Sequence, residues 1–113
     1  MKGYHLGELE ELILLTVGIL DQEAYGVSVL EEIKRQTGRK VNISAIHTVL
    51  NRLEDKGFLT SQMGGATEER GGRRKRLFKL SGTGRSAITE IKELRNKLYD
   101  QLPPLALDFT YGY

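Results

Sequence analysis

The sequence predicts a mainly α fold with one small β-hairpin, closed by a long C-terminal helix. Three observations carry that prediction. Apolar residues recur at helical spacing in four separate segments. Two strand-like stretches, Phe58 to Met63 and Arg76 to Leu80, flank a segment holding Gly64, Gly65, Gly71 and Gly72. Pro103-Pro104 then ends the last helical segment, because proline has no N–H to continue it.

The first helix is expected over Leu6 to Leu20. Leu9, Leu12, Ile13, Val17 and Leu20 fall on one stripe, and Leu14, Leu15 and Ile19 widen it beyond one face. A helix apolar on most sides needs cover on most sides, and part of that cover is expected from a second copy. Asp21 to Glu23 is a polar connection. The second helix is expected from Ala24 or Tyr25 to Thr37, with Val27, Leu30 and Ile33 inward and Gly38 as its stop. Arg39 to Ile43 reads as a short extended segment, and Ser44 as the N-cap of a third helix that runs to Lys56. Ile46, Val49, Leu50 and Leu53 form that helix's inner face. Its outer side carries Ser44, Thr48, Asn51 and Asp55, with His47 and Arg52 on the edges. After the hairpin, the last helix is expected from Ser81–Thr83 to Leu102. Its apolar positions Ala87, Ile91, Leu94 and Leu98 are spaced 4, 3 and 4, the repeat of a coiled-coil seam.

Composition narrows the classes open to the chain. Its 113 residues are the size of one domain. It has no cysteine, which excludes disulfides, thiolate metal sites and a cysteine nucleophile. The opening Met1 to His5 lacks the pattern of a secretory leader, and the apolar run Leu12 to Leu20 falls short of the about 20 residues that span a bilayer. A soluble, cytoplasmic protein is expected. The two histidines, His5 and His47, lie far apart, and no hydrolase, nucleotide-binding or zinc motif is present. The glycine pairs lack the strand-to-helix setting of a phosphate loop. Neither an enzymatic activity, a cofactor nor a metal is expected.

The charge distribution points to a polyanion. Between Arg39 and Arg85 there are 11 Lys and Arg against 4 Asp and Glu, whereas the rest of the chain has 6 against 11. Cations run consecutively from Arg73 to Arg76 on the returning arm of the hairpin. A third helix followed by a basic hairpin is the arrangement of a winged helix-turn-helix, in which that helix enters the major groove of DNA and the wing reaches the adjacent backbone. His47, Thr48 and Asn51 are the candidates for reading base edges, being short hydrogen-bonding groups. Ser44 is a candidate for phosphate contact, and Arg52 for phosphate contact or for pairing with a local carboxylate. Arg73, Arg74 and Lys75 are the wing's candidates, with Arg76 and Lys79 expected to turn away from the apolar face. Tyr25 is expected where a helix start favours phosphate, and Lys40 could reach the backbone from the loop before the third helix.

Several segments together resemble the PadR family of bacterial transcriptional regulators. They are Leu6-Gly7-Glu8-Leu9-Glu10 with Leu12 to Leu15, Ala24-Tyr25-Gly26, Ser44 to Glu54 with Gly57 to Leu59, Gly71 to Leu80, and Gly82-Thr83-Gly84-Arg85. The third helix carries His47-Thr48 where that family often has Tyr-Pro. The resemblance implies a winged-helix dimer on operator DNA, with residues 1–81 as the DNA-binding domain and 82–113 as a dimerisation helix and short tail. It implies repression, often relieved by a small-molecule effector. Leu15, Ala87, Ile91, Leu94 and Leu98 are the expected dimer residues, and an inverted-repeat operator follows from two-fold symmetry. The alternative is a winged helix that binds protein instead; the cluster of wing cations argues against it.

Overall fold

A computed structural model describes residues 5–66 and 74–104 of the chain. The order is α1 (Glu8–Leu20), one turn of 3-10 helix (Asp21–Glu23), α2 (Gly26–Thr37), α3 (Ile43–Asp55), β1 (Leu59–Ala66), β2 (Arg74–Leu80) and α4 (Gly82–Tyr99). The winged helix-turn-helix expected from the sequence is present. Among the described residues no helix is long and apolar enough to cross a membrane.

The core is where three helical stripes meet the base of the hairpin. Ile13, Leu14 and Val17 come from α1, Val29 and Ile33 from α2, and Ile46, Val49, Leu50 and Leu53 from α3. Phe58, Leu59 and Phe78 close it from the hairpin, and Ala87 from α4. Most of these side chains are fully covered, each contributing about 1.5–3 kcal/mol of apolar burial. Gly38 and Gly57, both at positive φ, end α2 and follow α3.

β1 and β2 pair antiparallel with Leu59 opposite Leu80, Ser61 opposite Phe78 and Met63 opposite Arg76, and an irregularity follows Met63. Two sequence expectations are corrected here. Arg39 to Ile43 forms no strand; the third strand-like piece is Ala24, whose carbonyl accepts from the Phe78 N–H at 2.8 Å. Ala24 takes that edge because the chain leaving α1 passes beside β2, whereas Val41 is drawn onto the core. The cap of α3 is Asn42, not Ser44: Asn42 Oδ1 accepts from the Ala45 N–H at 2.8 Å, and Ser44 is an exposed residue of the first turn.

α4 is anchored at its start and free towards its end. Ser81 Oγ accepts from the Gly84 N–H (3.0 Å) and donates to the Gly57 carbonyl (2.6 Å). A side chain at Gly84 would meet the Phe58 carbonyl oxygen at 2.1 Å, so only glycine allows this crossing. Ala87 and Ile91, counted in the expected seam, are buried within the protomer, and Ala87 has no surface left for a second chain. Leu94 and Leu98 remain exposed. α4 runs antiparallel to α1, with Arg85 beside Gly18 at one end and an Arg95–Glu11 ion pair (3.0 Å) at the other.

Candidate nucleic-acid interface

The start of α2, the outer face of α3 and the edge of β2 surround a hollow of about 310 Å³. Its lining brings together Tyr25, Gly26, Val27, His47, Asn51, Lys75, Arg76 and Phe78. Four of the residues singled out from the sequence, Tyr25, His47, Asn51 and Lys75, therefore come together from three separate elements.

Local chemistry explains how they meet. The Tyr25 N–H donates to Ser28 Oγ at 2.9 Å, and the Ser28 hydroxyl can donate to the Glu23 carbonyl at 2.7 Å, which ties down the first turn of α2. The next residue has no side chain: a Cβ at Gly26 would lie 2.4 Å from His47 Cε1. His47 therefore rests directly on the α2 backbone, and α2 and α3 approach as closely as they do because of it. Lys75 Nζ sits 4.5 Å from the centre of the Tyr25 ring, a cation–π contact that joins the wing to α2. It has no carboxylate partner among the described residues.

The other expected residues lie elsewhere. Thr48 and Ser44 are exposed on α3, and Lys40 is exposed in the loop before it; none lines the hollow. Arg52 is half exposed and lies 3.9 Å from Glu10 Oε2. That carboxylate is buried, and it accepts from Lys56 Nζ and from the Gly7 N–H, both at 2.8 Å. Burial pushes the Glu10 carboxyl up, but these two hydrogen bonds and the charges of Lys56 and Arg52 more than offset it, holding it below the usual carboxylate range. Arg74 turns back across the hairpin, with Nε donating to the Gly64 carbonyl at 2.9 Å. Arg73 lies outside the described residues, as do the hairpin tip and the tail.

Contrary to the expectation from the sequence, Arg76 does not turn away with Lys79, because residues three apart on a strand face opposite sides. Arg76 shares its face with Phe78, which points into the core, so its guanidinium lies on the α3 side. There its Nη1 donates to Ser61 Oγ at 2.8 Å. Strict period-two counting from Phe78 would have found it. Among the described residues no group of His, Asp and Glu could hold a metal ion.

An exposed helix face beside a cationic strand edge, with an open hollow between them, is suited to a polyanion that presents both grooves and phosphates. Comparison with known proteins bears on which one. The Transcriptional regulator PadR-like family matches residues 14–90. Among solved structures, the chain is similar to a PadR-like transcription factor from Bacteroides fragilis, at 23% identity over 81% of this chain and 84% of that one, with a TM-score of 0.70. It is also similar to a PadR-like transcriptional regulator from Bacillus cereus, at 14% identity over 93% and 92% of the two chains, with a TM-score of 0.66. A third is Bacillus subtilis PadR in complex with operator DNA, at 18% identity over 84% of this chain and 61% of that one, with a TM-score of 0.62. Comparison with curated proteins gives no match. At these identities the structural likeness establishes the fold, and the family match over residues 14–90 establishes more: the chain belongs to the PadR-like family of transcriptional regulators.

Proposed function

We infer that this protein binds operator DNA as a dimeric transcriptional repressor, with α3 in the major groove and the β1–β2 hairpin as the wing. The observation that carries the reading is the hollow where Tyr25, His47, Asn51, Lys75 and Arg76 converge. It gathers short hydrogen-bonding groups and cations at one hollow, which suits a partner that offers both base edges and phosphates. Bacillus subtilis PadR, which shares the fold, is solved in complex with operator DNA, and this supports a DNA partner. Arg74, Lys40, Ser44, Thr48 and Arg52 extend the proposed contact, and Arg73 remains a candidate from the sequence.

The dimer is proposed on the free part of α4. Leu94, Leu98 and Tyr99 are exposed there, Leu102 just past its end, and Leu15 and Ile19 on the neighbouring α1. Two protomers joined across this surface would present their α3 helices to half-sites about 10 base pairs apart, or a multiple of that, on an inverted repeat. Repression, relief by a small molecule that changes the angle of α4, and the lack of a catalytic role follow the habit of the family.

The test is a mobility shift on the DNA upstream of the protein's own gene, with an Arg74→Ala/Lys75→Ala variant beside the wild type. Binding that survives nonspecific competitor and weakens in the variant is expected. No shift even at low salt on random duplex would remove the DNA reading and favour a winged helix that binds protein.

A further inference from the structure

A chain of hydrogen bonds leads from the recognition helix to the wing. Ser61 on β1 has one hydroxyl proton, and its Oγ lies 2.6 Å from Glu54 Oε2 on α3. That proton goes to the carboxylate. The oxygen's lone pairs then accept from Arg76 Nη1 on β2, at 2.8 Å. The order is Glu54, Ser61, Arg76, and each group donates or accepts as its chemistry requires. The carboxylate polarises the hydroxyl and makes it a better acceptor.

The interposed serine matters for charge. A direct Glu54–Arg76 ion pair would hold the guanidinium but neutralise it. With Ser61 between them, no carboxylate lies within ion-pair distance of Arg76 among the described residues. The guanidinium is oriented through one of its five N–H groups, the other four make no hydrogen bond among the described residues, and the side chain lines the hollow with His47, Asn51 and Lys75. Arg74, by contrast, spends donors on the Gly64 and Met63 carbonyls of its own hairpin.

We propose that Arg76 is the wing residue that grips a DNA backbone phosphate at the junction of α3 and the wing, and that Ser61, backed by Glu54, is the positioning residue that aims it. This rests on the DNA-binding reading above. It adds a residue that the run of cations alone does not distinguish from its neighbours. It also makes wing position depend on α3, since Glu54 belongs to the helix that enters the groove.

The experiment is fluorescence anisotropy of the full chain on a labelled mixed-sequence duplex of about 25 base pairs, at several salt concentrations. Arg76→Gln is expected to make the slope of log K against log salt shallower by about 0.9 for each protomer bound. Ser61→Ala keeps every charge, so the slope should hold while affinity falls about three- to tenfold, the worth of one aiming hydrogen bond. Ser61→Thr should restore binding. In the Arg76→Gln background, Ser61→Ala should cost nothing further, whereas a merely structural serine would cost the same in both backgrounds. Thermal melts of each variant identify any loss of fold. An unchanged slope in Arg76→Gln would overturn the proposal, and so would a Ser61→Ala loss that persists without Arg76. A loss confined to one base position, with the slope unchanged, would make Arg76 a base reader and equally overturn it. If the wild type itself fails to bind at low salt, the DNA reading fails as a whole, which is a different result from variants that bind like the wild type.

Discussion

Glu10 shows how much a single buried carboxylate can hold. It links the N-terminus of α1, through the Gly7 N–H, to the end of α3, through Lys56. Its folded-state proton affinity is depressed, so its contribution to stability is present above the ordinary carboxylate range and is lost as pH falls through the lower, folded-state value. Glu10→Gln should cost about 1–2 kcal/mol at neutral pH and flatten the acid side of the stability curve; urea unfolding of both proteins between about pH 7 and pH 3 measures it. An equally steep acid limb in the variant would place the titration elsewhere. Two glycines give a paired prediction at the same scale. At Gly84 the obstructing atom is a backbone carbonyl, which cannot move aside, and Gly84→Ala should destabilise by about 1–3 kcal/mol or more in the same assay. At Gly26 the obstructing group is the His47 imidazole, which can rotate away. Gly26→Ala should leave the fold nearly as stable and instead weaken DNA binding, because it displaces a side chain of the proposed interface.

At the scale of elements, the helices were legible because burial writes itself into the 3.6-residue spacing. Ile46, Val49, Leu50 and Leu53 are inward in the sequence pattern and buried in the fold. Ends and pairings were less legible. Asn42 and Ser44 are equally good caps in isolation, and the choice between them depends on Val41 packing against the core, which is not local information. The same holds for the strand expected at Arg39 to Ile43, where Ala24 takes the edge of β2 from far away in sequence. Of the candidate site, the polar face of α3 and the basic arm were visible as composition, and the face of Arg76 follows from alternation with Phe78. Its tie to Ser61 and Glu54 was not visible, since these come together only once the hairpin folds onto α3. The cap is open to a direct check. Asn42→Ala should cost about 1 kcal/mol by thermal or urea unfolding, and Ser44→Ala only a few tenths. The reverse order would return the cap to Ser44.

At the scale of the whole molecule, α4 has two unlike halves. Its first half is core: Ala87 is fully buried, and its partners are the protomer's own. Beyond Ile91 the helix continues for two turns with Leu94, Leu98 and Tyr99 at 40%, 56% and 71% exposure, and Leu102, just past its end, is 60% exposed. A protomer alone has no use for that many exposed large side chains on one extension, and a contiguous apolar surface of this kind usually marks an interface. Leu94 is the position to change, because it is exposed enough not to unfold the protomer and lies nearest the core end of the free stripe. Leu94→Glu should sediment as a monomer where the wild type sediments as a dimer, with circular dichroism unchanged. Its loss of DNA affinity should then be large for an indirect reason: no phosphate or base contact is removed, but the second half-site is no longer held at high effective concentration. An affinity loss of about a hundredfold or more on an inverted repeat, with little loss on a single half-site, is the signature expected. A variant that remains dimeric would move the interface off this part of α4, and one that becomes monomeric yet binds the inverted repeat as tightly as before would show that the two protomers recognise DNA independently.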